Sequence, residues 1–281
     1  MYNPTSEYDI QVELEDLKKL TDAVLTKYGF DFSNYAKSSF KRRIIMVLKK
    51  NGIKSIEALI HKILYNPDFF EQFLIDITVN TTEMFRDPGF FKVLREVVLP
   101  VLNTRPEFNI WHAACSTGEE VLSLAILLKE ENMLHRAKTY ATDINSVVLK
   151  KAASGRFPLR NLELYTQNYN QTDPKGQLSD YYEIEDNEIV FNPALLQHVK
   201  FKHHDLALDH HFFKFDLILC RNVMIYFDQD LQNRVFDLLY KSMFLNGYLC
   251  LGAKESLIWC KNADKFEVVN DREKIFKKVK L

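Results

Sequence analysis

Apolar residues in the first third of the chain recur at the spacing of amphipathic helices. This pattern predicts a first helix that ends at Gly29 and a second helix over residues 33–51. Two shorter helices are predicted at 55–64 and 67–77, the latter with a proline in its first turn. We therefore expect a helical N-terminal domain over residues 1–85.

After Asn109 the pattern changes to short apolar runs that alternate with helical segments. Strands are predicted at 138–142, 198–204, 215–220 and 247–252. A helix capped by Asp228 is predicted to continue to Leu245. Alternation of this kind is typical of an open, mostly parallel α/β sheet of the Rossmann-like class. We expect this domain to cover residues 86–281.

The alternation stops between residues 155 and 197, where glycine, proline and polar residues punctuate the chain. Within this stretch, residues 181–191 alternate between polar and apolar side chains around Asp186 and Asn187, which predicts a short hairpin. We therefore expect an inserted antiparallel β-subdomain at 155–197. A last hairpin is predicted at 266–279.

Composition narrows the class of protein. Of the 281 residues, 47% are hydrophobic, and the formal net charge is −1. The chain has neither an apolar run of the ~18 residues that a membrane span needs nor a secretory leader pattern, so we expect a cytoplasmic protein without membrane insertion. The near-zero charge argues against bulk nucleic-acid binding. Four cysteines without a CxxC pair, and histidine pairs whose side chains point to opposite faces of a strand, indicate no metal site.

The junction at residues 109–123 is the first candidate for a ligand site. A strand there turns at Gly118 into a helix that carries Glu119 and Glu120 in its first turn. In an open α/β sheet, nucleotide-like ligands approach the backbone at such a junction. Glycine-rich phosphate motifs are absent and the two acids would repel a pyrophosphate, whereas the ammonium and sulfonium of S-adenosylmethionine suit them. An ordinary turn whose acids complement the helix dipole explains this stretch equally well.

Polar residues at the ends of other predicted elements strengthen the cofactor interpretation. Asp143 follows the second strand, about 20 residues beyond the first loop, where an acid commonly binds a ribose diol. Capping of the next helix is the competing role. Arg221 and Asn222 follow the buried strand, before an apolar stretch that contains Tyr226. Arg86 lies in a polar linker between two helices, where it could face the same loop or form an ordinary salt bridge.

The second predicted helix is strongly basic. Residues 33–54 contain seven lysines and arginines and no acidic residue. Because a solvated helix face usually mixes both signs, this excess indicates a surface for an acidic partner, although a plain solvent-exposed face remains open. The residues that we assign to substrate binding are Lys37, Lys41, Arg42 and Arg43.

Several segments are specific in their joint order and spacing. They read NTTEMFRDP, AACSTGEEVLSLA, ATDIN, FDLILCRNVMIYFD and GYLCLGAKESL, preceded by YGFDFSNYAKSSFKRRI in the helical domain. With them the chain resembles the chemotaxis protein methyltransferases, the CheR family, over nearly its whole length. The resemblance implies that S-adenosylmethionine methylates glutamate side chains of a chemoreceptor or related signalling protein with acidic helices. The products would be γ-glutamyl methyl esters and S-adenosylhomocysteine.

The resemblance also implies roles for single residues. It implies cofactor contacts by Asn80, Thr82, Arg86, Glu120, Asp143, Asp205, Leu206, Arg221 and Asn222. We expect Arg86 to orient a carboxylate of the cofactor or the substrate. We expect Tyr226 to border the transferring methyl group or to hydrogen-bond the attacking oxygen.

Two departures from the family pattern bear on these expectations. Asp205 stands where the family more usually has asparagine, a change that main-chain contacts to the cofactor would tolerate. Residues 179–188 are acidic and lack arginine and glycine, whereas members that bind a receptor's C-terminal pentapeptide carry a basic, glycine-containing loop in this subdomain. This difference argues against a pentapeptide tether. Docking through the basic helix, or a different signalling protein as substrate, remains.

The expected chemistry needs few specialised residues. A glutamate carboxylate, with an ordinary pKa of about 4.3, is ionised at neutral pH and attacks a sulfonium methyl without a general base. An apolar pocket favours this reaction because opposite charges neutralise each other, and Met224, Ile225 and Phe227 are candidates for its walls.

Two other classes compete with this enzyme. A non-catalytic S-adenosylmethionine-binding or docking module would keep the cofactor acids but could lose Arg86 and Tyr226, and both are present. A base-methylating enzyme commonly carries a (D/N)PP(Y/F) segment where this chain reads RNVM.

Overall fold

The computed structural model describes residues 11–78, 82–258 and 260–280. The chain forms two compact units, one comprising Met1–Val79 with Tyr226–Leu231 and the other Asn80–Ile225 with Gln232–Leu281. The first is helical and the second is an α/β unit, as the sequence predicted. No helix within the described ranges combines the length and apolar character that a membrane crossing requires.

Within the described residues, four helices form the helical unit: α1 (Leu14–Tyr28), α2 (Lys37–Asn51), α3 (Ile56–Tyr65) and α4 (Pro67–Ile77). Their ends follow the sequence signals. Gly29 ends α1 with a φ of 77°, and the side chains of Ser55 and Asn66 cap α3 and α4. Helix α2 begins four residues later than predicted. The reason is a turn in which the Asp31 carboxylate accepts the Ser33 N–H at 2.8 Å.

In the part of the α/β unit that the structure describes, ten strands form the sheets: β1 (Phe108–Ala113), β2 (Ala137–Asp143), β3 (Arg156–Pro158), β4 (Tyr182–Glu185), β5 (Glu188–Phe191), β6 (Val199–His203), β7 (Phe215–Cys220), β8 (Met243–Leu251), β9 (Phe266–Asn270) and β10 (Ile275–Lys278). Seven of them make one sheet in the order β6-β2-β1-β7-β8-β10-β9. The first five of this order run parallel, and β10 is antiparallel to both of its neighbours. The strand order reverses at β1, so the carboxyl ends of β1, β2 and β7 lie at one edge, where ligands bind in open α/β sheets.

Six helices accompany these strands: α5 (Pro88–Val93), α6 (Leu99–Leu102), α7 (Glu119–Glu130), α8 (Ser146–Ser154), α9 (Leu162–Asn170) and α10 (Gln229–Lys241). A π-helical turn at Leu94–Val98 joins α5 to α6. The core of the unit includes the aromatic rings of Phe90, Phe108 and Tyr165, each 1% exposed.

The inserted subdomain confirms the predicted hairpin. Strands β4 and β5 pair around Asp186 and Asn187, whose φ angles of 43° and 65° suit a tight two-residue turn, and β3 extends the sheet in the order β3-β5-β4. Helix α9 lies in the same insertion and was not predicted, because its sequence is largely polar. On its buried side, Tyr165 and Tyr169 reach the core of the α/β unit.

The predicted boundary between α10 and β8 is also wrong. Helix α10 ends at Lys241 instead of Leu245, and β8 begins at Met243 instead of Gly247. The sheet recruits the intervening residues, since Met243 pairs with Phe215 at the start of β7. The amphipathic pattern of the helix continues into a strand here and does not mark the change.

A further error concerns Asp87. The sequence predicted that this residue caps the helix beginning at Pro88, but its side chain makes no capping hydrogen bond and its φ is 60°. The carboxylate instead accepts a hydrogen bond from Arg221 at 2.9 Å. Ion pairing has therefore replaced helix capping.

The side chain of Asp216 links the start of β7 to the start of β1. Its carboxylate accepts the main-chain N–H of Asn109 at 2.7 Å and pairs with Arg105. The residue is 3% exposed. It provides a buried carboxylate on the same strand that leads to Arg221, but near the opposite end.

Candidate cofactor site

The loops that follow β1 and β2 are joined by one carboxylate. Asp143, the last residue of β2, accepts the Ser116 N–H at 2.9 Å and the Asn145 N–H at 3.0 Å. The Cys115 N–H donates to the carbonyl of Thr142 at 2.8 Å. These bonds fix the turn between β1 and α7 against the start of α8, at the edge where the topology predicts a ligand.

Gly118 is required by this close packing. Its φ is 92°, and a Cβ atom there would lie 2.8 Å from the Cβ of Ala152 in α8. The glycine therefore lets α7 begin directly against α8. This role differs from the phosphate cradle that glycine-rich loops provide.

A network of polar side chains, here called the polar network, lies beside this turn. His112 Nδ1 is 2.9 Å from Glu120 Oε1, and Arg221 Nη1 donates to Glu120 Oε2 at 3.0 Å. Arg221 Nη2 donates to Asp87, and the guanidinium lies 3.9 Å from the ring centroid of Phe90. The side chains of His112 and Arg221 are 1% and 3% exposed. The polar network thus connects β1, α7, the residue after β7 and the segment before α5.

The formal charges of Arg221, Asp87 and Glu120 do not cancel. The guanidinium of Arg221 faces two carboxylates, those of Asp87 and Glu120, and Asp143 adds a third acid to the same edge. Burial raises the pKa of Glu120, but the His112 bond and the Arg221 charge outweigh burial and leave the pKa below its ordinary value. Glu120 is therefore ionised at neutral pH. An excess of negative charge suits a cationic ligand and opposes a pyrophosphate.

Several polar atoms around these loops are buried and have no hydrogen-bond partner within the described part of the chain. They are His112 Nε2, Ser116 Oγ, Asn145 Nδ2 and Arg221 Nε. Buried polar atoms are normally satisfied, so the cluster fits a ligand rich in hydroxyl, amine and carboxylate groups. The residues present therefore fit S-adenosylmethionine, which carries a ribose diol, an ammonium, a carboxylate and a sulfonium.

Two more of the predicted cofactor residues, Arg86 and Asn222, adjoin Arg221. The main-chain carbonyl of Arg86 accepts a bond from Arg221 Nη2 at 3.3 Å, which brings Arg86, Glu120 and Arg221 together. Asn222 adopts a φ of 61° directly after Arg221. Thr82 is half-buried, and among the described residues no hydrogen bond links it to this cluster. Asn80 lies outside the described residues.

Asp205 and Leu206 follow β6 at the same edge. The His204 N–H donates to the carbonyl of Asp143 at 3.1 Å, which places Asp205 one residue from that contact. The Asp205 carboxylate accepts the Ala207 N–H at 2.7 Å. An asparagine oxygen could accept the same bond, so the aspartate preserves the local turn.

Two predicted residues meet inside the helical unit. The Arg43 guanidinium lies 4.2 Å from the ring centroid of Tyr226 and also donates to the carbonyl of Ile77. Arg43 is 7% exposed, whereas Lys37 and Arg42 are exposed and Lys41 is half-buried. Arg43 therefore has an internal role that the other three cations do not share.

Sequence reasoning missed three residues of this region. His112 was read only as part of a strand, Asp87 as a helix cap, and Glu255 as one letter of the segment GAKES. Glu255 accepts four main-chain N–H groups around Asn222. The available signal for Glu255 was a single acid in the loop directly after a predicted apolar strand. No local pattern marked His112.

Known proteins give an independent comparison. The family model described as the CheR methyltransferase SAM-binding domain matches residues 80–275, and the model described as its all-alpha domain matches residues 15–78. The Pseudomonas putida protein Cher3 is 39% identical over 274 residues, which cover 98% of this chain and 99% of that protein. The chemotaxis protein methyltransferase of Borreliella burgdorferi is 30% identical and covers 91% of this chain and 93% of its own length.

A solved structure adds a more distant similarity. The N-methyltransferase NodS of Bradyrhizobium japonicum, determined with S-adenosylhomocysteine, is 12% identical with a TM-score of 0.41 and covers 70% of this chain and 89% of NodS. The family match confirms the predicted cofactor, S-adenosylmethionine.

We predict that Asp143→Ala weakens S-adenosylmethionine binding by about tenfold or more, because the substitution removes charge-assisted bonds to two loops as well as the proposed ribose contact. Calorimetric titration of the folded variant measures this change. Unaltered affinity would exclude Asp143 from the site.

We predict that Glu120→Gln weakens binding of S-adenosylmethionine more than binding of S-adenosylhomocysteine. The substitution removes one negative charge, and only the first of these ligands carries a sulfonium. The ratio of the two dissociation constants, compared with that of the parent protein, tests the charge argument. An equal loss for both ligands would indicate a role in loop geometry alone.

Proposed function

Because the chain belongs to the CheR methyltransferase family, we propose that it transfers the methyl group of S-adenosylmethionine to glutamate carboxylates of a chemoreceptor or related signalling protein. The observation that supports this proposal best is that two carboxylates, those of Asp87 and Glu120, converge on Arg221 at the predicted cofactor site. Such a site favours a sulfonium donor. A carboxylate acceptor is ionised at neutral pH and requires no general base.

The residues of the α/β unit have distinct proposed roles. Asp143 binds the ribose, and Glu120 and Arg221 bind the charged amino-acid end of the cofactor. Asp205, Leu206 and Asn222 contribute from the neighbouring strand ends, and Asn80 and Thr82 from the linker. When bound, the cofactor supplies an electrophilic methyl group. The chain's own task is to align the acceptor and exclude water.

Arg86 and Tyr226 are our candidates for direct roles in methyl transfer. The guanidinium of Arg86 would orient a carboxylate of the cofactor or the substrate. The phenol of Tyr226 would border the methyl group or donate a hydrogen bond to the acceptor. In the helical unit the ring of Tyr226 is held by Arg43, which gives the phenol a defined orientation.

The exposed cations Lys37 and Arg42 of α2, together with the half-buried Lys41, are our candidate for protein docking. Lys37, Lys41 and Arg42 lie on a helix without acidic residues in its first turn, and they suit a partner with acidic helices. The acidic strand β4, which exposes Glu183 and Glu185, argues against a pentapeptide tether. We further propose that the protein acts in the cytoplasm.

Transfer of labelled methyl groups tests the function. The purified protein is incubated with methyl-labelled S-adenosylmethionine and the cytoplasmic fragment of a chemoreceptor, with Asp143→Ala as the inactive control. We expect label that mild base releases as methanol, because γ-glutamyl methyl esters are base-labile. Cofactor binding without transfer to receptors or to lysate proteins would favour the non-catalytic docking module. Base-stable label in nucleic acid would favour the other class of methyltransferase.

We predict opposite outcomes for two neighbouring arginines of α2. Arg42→Glu should raise the KM for the protein substrate roughly threefold or more at low salt and spare folding, since Arg42 is exposed. Arg43→Glu should instead lower the free energy of unfolding by about 3–5 kcal/mol, because it places an acid in a buried site that holds a cation. Substrate titration and denaturant unfolding of both variants separate the two effects. Similar behaviour of the two variants would contradict the assignment.

We predict that Tyr226→Phe lowers kcat about tenfold while cofactor affinity stays at the parental value, because only the phenolic hydroxyl is lost. Tyr240→Phe is the matched control, since the buried Tyr240 hydroxyl bonds to the Lys280 carbonyl on another part of the chain. Arg86→Ala should lower kcat at least as strongly. Normal turnover of both site variants would refute these two roles.

A further inference from the structure

The residues that follow β7 are held by a carboxylate from the loop after β8. Glu255 accepts the N–H groups of Val223 and Met224 on Oε1, at 2.9 and 2.8 Å. Its Oε2 accepts the N–H of Asn222 at 3.0 Å and that of Gly252 at 2.5 Å. Three consecutive main-chain N–H groups thus converge on one anion.

This arrangement is an anion-binding nest whose occupant is a side chain of the same protein. Successive N–H groups point to one side only when the backbone leaves the extended conformation, and Asn222 does so with a φ of 61°. Asparagine tolerates this region better than most residues. The carboxylate offsets the cost of that conformation by accepting N–H groups that the sheet cannot satisfy.

Burial makes the carboxylate hard to replace. Glu255 is 4% exposed. Burial raises the pKa of Glu255, while the main-chain N–H groups act in the opposite direction because they favour the ionised form. A glutamine of equal size would place an NH₂ group, itself a donor, against main-chain N–H donors, so some of these hydrogen bonds would be lost.

Gly252 completes the arrangement. A Cβ atom at this position would lie 2.6 Å from Asn222 Nδ2 and 2.9 Å from Glu255 Oε2. No side chain fits there without moving the nest. The close approach of the two loops therefore depends on a glycine at the end of β8.

We propose that Glu255 is a positioning residue for methyl transfer, whose carboxylate holds the backbone of 222–224 so that Arg221 and Asn222 face the cofactor. This inference rests on the cofactor roles proposed above for those two residues. Glu255 acts through the backbone and does not itself touch the ligand. Neutralising its charge should therefore loosen cofactor binding although no cofactor contact has been removed.

The test compares two buried carboxylates that lie near opposite ends of β7. Glu255→Gln should raise the dissociation constants of S-adenosylmethionine and S-adenosylhomocysteine about tenfold. Asp216→Asn also neutralises a buried carboxylate that accepts a main-chain N–H. It should lower Tm by about as much as Glu255→Gln does and leave the two dissociation constants unchanged. Parental affinity in folded Glu255→Gln would overturn the proposal. Equal weakening in both variants would also overturn it, because general destabilisation would then explain the loss.

Two further measurements apply if Glu255→Gln fails to fold. Gly252→Ala keeps the carboxylate and displaces the nest, so it should weaken cofactor binding, and parental affinity in this variant would refute the proposal. Hydrogen exchange of the parent protein should show the amides of 222–224 as strongly protected, and exchange at the rate of exposed loop amides would refute it as well. Neither cofactor binding nor exchange requires a protein substrate. A wrong assignment of the methyl acceptor would therefore leave these results unaffected.

Discussion

The cofactor edge depends on the guanidinium of Arg221 being shared between two carboxylates. This single cation follows β7, and it joins α7 through Glu120 and the segment before α5 through Asp87. A buried arginine without partners would be costly, so its position requires both acids. The two acids together exceed its charge by one. The same two carboxylates that hold Arg221 in place are therefore positioned to attract a sulfonium cofactor.

The sequence predicted the elements around this edge better than the contacts within it. Strand β7 and the turn before α7 follow from apolar runs and small residues, and the hairpin around Asp186 and Asn187 follows from turn chemistry. The polar network could not be predicted in the same way. His112 and Asp87 are 25 residues apart in the sequence and meet only through Glu120 and Arg221. Local patterns contain no information on such pairings.

The wrong and missed elements have a common physical cause. Helix α10 was predicted to continue beyond Lys241 because local amphipathicity was the only guide, whereas pairing with β7 determines where β8 begins. Helix α9 was missed because its sequence is largely polar, although two tyrosines anchor it. Asp87 was assigned to a cap because its ion-pair partner was unknown. In each case a contact distant in sequence overrides the local preference.

The basic helix shows that charge in a sequence does not reveal exposure. Arg42 and Arg43 are adjacent, but one faces solvent and the other lies against an aromatic ring and a carbonyl. Helical geometry separates neighbouring residues by about 100°, so adjacent cations can serve entirely different purposes. The excess of basic residues in the sequence suggested the same substrate-binding role for both, and the packing of the helical unit distinguishes them.

The chain contributes to the helical unit twice, first with Met1–Val79 and later with the short segment Tyr226–Leu231. In that unit the carbonyl of Tyr226 accepts the Ala36 N–H at 2.8 Å, and the Asp228 N–H donates to the carbonyl of Asn34 at 2.9 Å. The segment is thus an integral part of the helical fold. It follows that the two units are not interchangeable modules: a recombination event that exchanged the first 79 residues would also have to preserve complementarity to six residues encoded far downstream. In this chain, substitutions in Tyr226–Leu231 and in the helices that they contact are therefore expected to be coupled.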